Sequence, residues 1–412
     1  MLMAISCRFC NTPLNQTVVN LGLSPLANAY RSERQVVEPE TFYPLCVRVC
    51  EACYLVQVPQ VETRDVIFDD DYAYFSSYSD AWLEHCKAYT SMIVDKLGLD
   101  ASSHVVEVAS NDGYLLQYFL EKGIPALGIE PATNVAETAI DAGIPTINDF
   151  FGVDTASQLT EEQRADLLIG NNVLAHVPDI NDFVEGLRIA LKPSGIITME
   201  FPHLLHLLER REFDTIYHEH FSYFSLQTVA QIFEHHGVPV FDVEEIPTHG
   251  GSIRIYARHK ENATWSPTAR LQKLLEREVK SGITELATYT SFADEVKEVK
   301  RDVLDFLINA KRNGSSIVGY GAAAKGNTLF NYCGIGTDFI DYVVDRNPHK
   351  QGQYLPGTQI PVFAPQKIFE TKPEYVIIVP WNLKDEIMKQ MSAIQSWGGR
   401  FVTFIPGVEI HD

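Results

Sequence analysis

The run HVVEVASNDGYLLQYFLEKGIPALGIEP, residues 104–131, constrains this chain more than any other stretch. An apolar strand, a turn of Ser, Asn, Asp and Gly, a helical spacing of apolar residues and a second apolar strand follow one another within it. A strand, a crossover helix and another strand of these lengths close most economically as a parallel β-α-β unit. The turn SNDG then falls at the carboxyl end of a strand, where open α/β sheets bind their ligands. Glu107 in the first strand and Glu130 at the end of the second are the informative acids. A carboxylate at that second position can accept both hydroxyls of a ribose, and Gly113 lets the backbone approach the ligand closely. This logic fits either a nicotinamide dinucleotide or S-adenosylmethionine.

The turn separates the two. It lacks G-x-G-x-x-G and so has no second glycine for a pyrophosphate. Instead EVASNDG, with Glu107, Ala109, Asn111 and Gly113, resembles the E-x-[AG]-x-[ND]-x-G first motif of class I methyltransferases. GIEP, with Glu130 and Pro131, resembles their acidic second motif, and NDFF, with Asp149 and Phe150, stands where these enzymes often surround the adenine. Asn171, in the loop after the next strand, joins the candidates for the methyl donor S-adenosylmethionine.

The pattern of strands and helices continues to a final strand pair, FDVEEIPTHGGSIRIYARH, around a glycine turn. SLQTVAQIFEHHG reads as a helix with Ser225 as N-cap and Gly237 beyond its end. SDAWLEHCKAYTSMIVDKLGL reads as a helix starting at Ser79 or Asp80. At 412 residues the chain can bury several cores, and its 45% hydrophobic and 21% charged composition is that of an ordinary globular protein. No stretch reaches the ~18 apolar residues of a membrane helix and no signal peptide opens the chain, so a cytoplasmic location without membrane partners is expected. A formal charge of -21, spread along the chain, disfavours nucleic acid as a ligand. An anionic ligand must be caught by a local pocket.

Seven cysteines are unevenly placed. CRFC supplies Cys7 and Cys10, and CEAC supplies Cys50 and Cys53. Two C-x2-C pairs in a reducing compartment read as a tetrahedral thiolate zinc site, with all four positions sulfur and hence a structural role. The residues between the pairs are expected to form a sizeable loop, and Cys46 to be a spare or buried thiol.

The segment TIYHEHFSYFS, residues 215–225, carries two histidines, a glutamate, two tyrosines and two phenylalanines with no clean period. It lies between a strand and the next helix, at the same sheet edge as the donor turn, and so does His176 in NNVLAHVPD. A catalytic use of His176 and of Tyr217 to His220 is therefore expected, against the alternative that His176 is a satisfied structural histidine.

Taken in order, CRFC, LGLSPLANAYRS, CEACYLVQ, YAYFSSYS, EVASNDGYLL, NNVLAHVPD, YHEHFSYFS, THGGSIRIYA and VGYGAAAKGNTLFNY resemble the nucleotide-sugar C-methyltransferases of deoxysugar biosynthesis, over nearly the whole chain. The resemblance implies a small amino-terminal zinc-binding domain, a central class I methyltransferase domain and a carboxyl-terminal Rossmann-like domain that helps hold a nucleotide-sugar. Boundaries at 1–68, 69–262 and 263–412 are expected. It implies methylation of C-3 of a nucleoside-diphosphate 4-keto-6-deoxy sugar, many substrates being deoxythymidine diphosphates. It also implies His220 as the base, Tyr217 and Glu219 as its orienting or substrate-binding neighbours, His176 as the loop histidine and Tyr74 as the tyrosine that closes the site. A neutral imidazole suits abstraction of a proton beside a ketone, since the electrons move onto the carbonyl oxygen.

After residue 262 come long helical patterns with charged faces, then SSIVGYGAAAKGNTLFNYCGI, DFIDYVVDRN ending in Asp345, and PEYVIIVPWN, a second Rossmann-like unit. The small-residue turn before its helix can accept phosphate oxygens on backbone amides, and Lys325 adds charge. Within the family's pattern Arg254, Lys325 and Asn327 are candidates for the diphosphate and nucleotide, while Gly319 and Gly321 fit structural roles equally. Alternatives are an O- or N-methyltransferase, a nucleotide-sugar oxidoreductase or isomerase using the last domain, and a zinc scaffold with an inactive methyltransferase fold. A monomer or weak oligomer is expected.

Overall fold

The computed structural model describes residues 5–63 and 75–411, so the Tyr74 assignment lies outside the described residues. Where the spacing between the cysteine pairs predicted a loop, the chain forms sheet. β1 (Gln16–Ser24) pairs antiparallel with β2 (Tyr43–Val49), which pairs with β3 (Val56–Gln57). Val18, Val19 and Leu21 are buried with Leu45, Val47 and Val49, an apolar face that no solvated loop could hide.

The central sheet begins with β4 (Val105–Val108), β5 (Ala126–Ile129), β6 (Thr146–Ile147), β7 (Ala165–Asn171) and β8 (Leu191–Pro202), all parallel. β9 (Ser222–Tyr223) leaves it to pair with β3 of the amino-terminal sheet. β10 (Val240–Ile246) and β11 (Ser252–Arg258) return as an antiparallel pair, with β11 antiparallel to β8. The order β10-β11-β8-β7-β4-β5-β6 reverses direction between β4 and β7. Loops leaving those two strands therefore diverge and open a crevice at their carboxyl ends.

The carboxyl-terminal sheet contains β12 (Ile317–Tyr320), β13 (Val343–Val344), β14 (Val362–Phe363), β15 (Tyr375–Ile378), β16 (Arg400–Thr403) and β17 (Glu409–His411). Its order is β14-β13-β12-β15-β16-β17, parallel except for β17. The chain is thus α/β throughout, with two doubly wound sheets and a small amino-terminal sheet.

Local chemistry sets the helices that frame the crevice. Ser79 caps the helix Asp80–Leu97 by accepting from the Trp82 amide, and Gly98 ends it at φ 65°. Ser225 likewise accepts from the Thr228 amide at the start of Leu226–His235. Buried Glu278, from the helix Ala269–Lys280, accepts from the Leu226 and Gln227 amides at 2.6 and 2.7 Å. That helix therefore packs on the central domain although it follows residue 262. In the helix Leu286–Arg312, Tyr289, Phe292, Val296, Val299, Val303, Leu307 and Ala310 form a helical stripe. The stripe enters one core with Val18 and Val47 of the first sheet and Ile317 and Phe330 of the last. The three sheets are consequently held as one packed body. No helix among the described residues is long and apolar enough to cross a membrane.

Candidate active site

The four predicted cysteines meet. Their sulfurs lie within 4.8 Å of one another, with Cys7 to Cys53 at 3.6 Å, Cys10 to Cys50 at 3.5 Å and Cys10 to Cys53 at 3.6 Å. Zinc–sulfur bonds of about 2.3 Å put tetrahedral sulfurs about 3.8 Å apart, so the group fits zinc and is far too open for a disulfide of about 2.05 Å. Gln57 Nε2 donates to Cys7 Sγ at 3.3 Å and the Ala52 amide to Cys50 Sγ at 3.4 Å, which stabilises thiolates. Cys46 stands apart on β2.

A cavity of about 360 Å³ fills the crevice above β4 and β7. At one end its wall includes Ala109, Asn111, Glu130, Pro131, Phe150 and Asn171. Ala109, Asn111 and Gly113 all have positive φ, 55°, 49° and 79°, which curls the turn around the end of β4. A Cβ on Gly113 would run into the Ile144 side chain. Glu130 Oε2 accepts from the Asn111 amide and Oε1 from the Ala132 amide, each at 2.9 Å, so its carboxylate fixes both loops. Burial raises the Glu130 pKa to about 7 against the pull of those amides. Each oxygen retains acceptor capacity for a ribose hydroxyl, so the residues fit S-adenosylmethionine.

Three donor-site candidates stand off this wall. Glu107 is buried within β4, where burial pushes its carboxyl well above the usual range against the Tyr114 phenol. Gly113 packs behind the turn on Ile144. Asp149 is exposed and accepts from the Phe150 amide at 2.8 Å and the Thr155 hydroxyl at 3.2 Å.

The two histidine loops converge because the Phe221 amide donates to the Ala175 carbonyl at 2.7 Å. His176 and His220 then lie with ring centroids 4.7 Å apart at 71°, and Tyr217 covers His220 at 4.0 Å. His220 Nδ1 is 2.9 Å from the Thr215 carbonyl, which can only accept. Nδ1 therefore carries the proton and Nε2 is the basic nitrogen. Burial, then the neighbouring His176, holds the His220 pKa well below the usual imidazole range. Burial likewise takes His176 to about 4, opposed by a hydrogen bond to the Glu219 backbone. Both rings are neutral at pH 7. His176, Tyr217, Glu219 and His220 all line the cavity. His218 turns away and donates through Nε2 to the Pro44 carbonyl at 3.3 Å.

The irregular pattern of this segment follows from its neighbours. Ile216 accepts from Thr328 of the last domain at 2.8 Å, Phe221 accepts from the Val58 amide at 3.0 Å, and Glu219 is held by Asn28. Successive residues thus answer to different domains.

Lys325 lines the same cavity with Ala323, Ala324 and Lys350. Its Nζ donates to Asn382 Oδ1 at 2.7 Å and sits 4.6 Å above the Trp381 ring. Burial lowers its pKa, opposed by the Asp214 and Glu212 carboxylates. The structure does not bring Arg254 or Asn327 to the cavity wall, a correction to their expected role. Arg254 is committed to Glu200 at 2.8 Å and Glu244 at 3.3 Å and lies over Tyr89, while Asn327 Nδ2 donates to the Ala27 carbonyl at 2.6 Å.

Asn28, Trp82, Asn172, His249 and Lys350 line the cavity unforeseen. His249 has φ 53°, and its Nε2 accepts from Asn172 Nδ2 at 3.1 Å. Its place before Gly250 and Gly251 was the available signal, because a histidine opening a glycine turn can be presented in a strained backbone. Asn28 lies within the motif LGLSPLANAYRS, which gave no indication of a site role, and nothing near Lys350 in the sequence marks it.

Family models match the chain in three consecutive pieces: a zinc binding domain over residues 7–68, a methyltransferase domain over 82–243 and a C-methyltransferase C-terminal domain over 247–406. The C-methyltransferase NovU of Streptomyces niveus is 35% identical over 97% of this chain and 95% of its own. A ubiquinone biosynthesis O-methyltransferase of Rhodopseudomonas palustris (strain HaA2) is 26% identical over 23% of this chain and 38% of its own. Among solved structures, the PH0226 protein of Pyrococcus horikoshii OT3 is 16% identical with TM-score 0.38, covering 46% of this chain and 95% of that one. The 1,6-didemethyltoxoflavin-N1-methyltransferase of Burkholderia thailandensis is 17% identical with TM-score 0.37, covering 50% and 96%.

Proposed function

This chain belongs to the C-methyltransferases that carry a zinc-binding domain, and from that premise we propose that its acceptor is C-3 of a nucleoside-diphosphate 4-keto-6-deoxy sugar. Membership makes it an S-adenosylmethionine-dependent enzyme and sets aside the oxidoreductase and scaffold alternatives. The observation that carries the proposal is the Thr215–His220 contact, which leaves a neutral imidazole with basic Nε2 in a cavity walled by all three domains.

Bound S-adenosylmethionine supplies an electrophilic methyl on a sulfonium. Glu130, with Ala109 and Asn111 of the turn, would hold the donor's ribose end. His220 Nε2 takes the proton from C-3, whose electrons pass to the C-4 carbonyl oxygen as an enolate. C-3 then bonds to the methyl as its bond to sulfur breaks, and the proton leaves His220 to water. Tyr217 packs over His220 with the rings tilted by 33°, which limits the freedom of the imidazole. Lys325 and Lys350 put two cations in the cavity lining, in a chain of net charge -21, which suits a diphosphate. The reading places the reaction in the cytoplasm, where free thiols persist for zinc.

Mass spectrometry of purified protein with S-adenosylmethionine and a panel of nucleotide 4-keto-6-deoxy sugars tests this. A gain of one methylene mapped to C-3, preceded by deuterium exchange there, is expected. Methylation of a hydroxyl or amine without exchange would exclude the proposal.

A further inference from the structure

We infer that Asn28, carried on the amino-terminal zinc-binding segment, is a positioning residue for Glu219, so that this segment forms part of the acceptor site as well as stapling the fold. The inference rests on the reading of Glu219 as an acceptor-site group.

Asn28 Nδ2 lies 2.8 Å from both Glu219 Oε1 and Oε2, across 191 residues of sequence. Both residues line the cavity, and Glu219 is 4% exposed. Because the two N–H bonds diverge while the two oxygens sit side by side, one hydrogen is shared between both oxygens, a three-centre bond that centres the carboxylate on the amide. The Asn28 backbone adds a second hydrogen bond. A buried carboxylate without such donors takes up a proton. Burial raises the Glu219 pKa to about 7, and the bonds from Asn28, with the Lys350 charge, are what restrain it.

The carrier of Asn28 is itself held from two sides. β1 ends at Ser24, four residues before it, in the sheet whose β2–β3 connection carries Cys50 and Cys53 of the thiolate cluster. On the other side the Tyr30 hydroxyl donates to the Ala322 carbonyl at 2.5 Å, and the Arg31 and Tyr354 backbones exchange hydrogen bonds at 3.0 and 2.8 Å. Asn327 donates to the Ala27 carbonyl. The residues before and after Asn28 are therefore anchored to the carboxyl-terminal domain, and Asn28 bridges from that anchor to the central domain.

The test uses the full zinc-loaded chain with glutamate labelled by 13C at Cδ, the Glu219 signal being assigned through Glu219→Gln. Asn28→Ala and the isosteric Asn28→Asp are compared with the native chain in zinc content, S-adenosylhomocysteine affinity, the Glu219 titration and kcat against KM. The expected result is retained zinc and donor affinity, a Glu219 titration moved to higher pH, and kcat lowered about tenfold or more with the KM for donor unchanged. An unmoved Glu219 titration in zinc-loaded Asn28→Asp overturns the inference, and this variant decides if Asn28→Ala loses zinc or fails to fold. A displaced titration in a protein whose native form methylates no keto sugar would uphold the role of Asn28 and reject the acceptor reading instead.

Discussion

The Thr215 carbonyl accepts from His220 Nδ1 at 2.9 Å, and this bond assigns the ring's tautomer. A base must present its lone pair to the substrate, and the contact leaves Nε2 to do so.

Replacing His220 by Ala removes that lone pair and opens space beneath Tyr217. Methyl transfer and solvent deuterium exchange at the acceptor carbon should fall together, by a factor on the order of 10² to 10⁴. S-Adenosylhomocysteine affinity, read by calorimetry, should hold. Retained exchange with lost transfer would move the base elsewhere.

Glu130→Ala should act on the other half of the site. Its carboxylate secures the Asn111 and Ala132 amides, so removal frees both loops and deletes the ribose acceptor. Calorimetric affinity for S-adenosylhomocysteine should weaken at least about tenfold, the scale of a lost charge-assisted bond. An unaltered affinity would place the donor elsewhere in the crevice.

Cys50→Ser should break the zinc site. Cys50 is buried in a core shared with Val106, Phe201 and Phe224 of the central domain, so the damage should not stay local. A stability loss of about 4 kcal/mol is expected by denaturant titration, together with substoichiometric zinc. Full zinc and native stability in the variant would show that three sulfurs suffice.

Glu212, a buried carboxyl beside Asp214 and Lys325, makes stability depend on pH. Burial, then Asp214, raises its pKa to about 8, above the ordinary value of 4.5. Between those values the folded chain binds more protons than the unfolded one, so this group's contribution to stability is complete below pH 4.5 and is lost as pH rises through 8. Glu212→Gln should therefore have the higher Tm at pH 8.5, the gap closing toward pH 5. A gap that widens at low pH would mean that Glu212 is ionised in the fold.

Much of the site was legible from spacing. The four cysteines gather into one cluster, and Ala109, Asn111, Glu130, His176 and His220 share one cavity, since each belongs to a local element whose geometry the sequence carries. Arg254 and Asn327 were misplaced because a side chain's direction depends on partners distant in sequence, here Glu200 at 2.8 Å and the Ala27 carbonyl at 2.6 Å. Residues 11–33 form strand over Gln16–Ser24 where cysteine spacing implies a loop, because burying Val18, Val19 and Leu21 depends on partners that spacing does not show.

By itself the sequence determined the β-α-β unit, the thiolate cluster and a second Rossmann-like unit, because periodicity, turns and short ligand spacings are properties of neighbouring residues. Only the tertiary structure decided that Asn28 holds Glu219, that Thr215 sets the His220 tautomer and that Lys325 and Lys350 line the same cavity. Those relationships arise where three sheets share a core, and burial together with long-range hydrogen bonding has no signature in the order of residues along the chain.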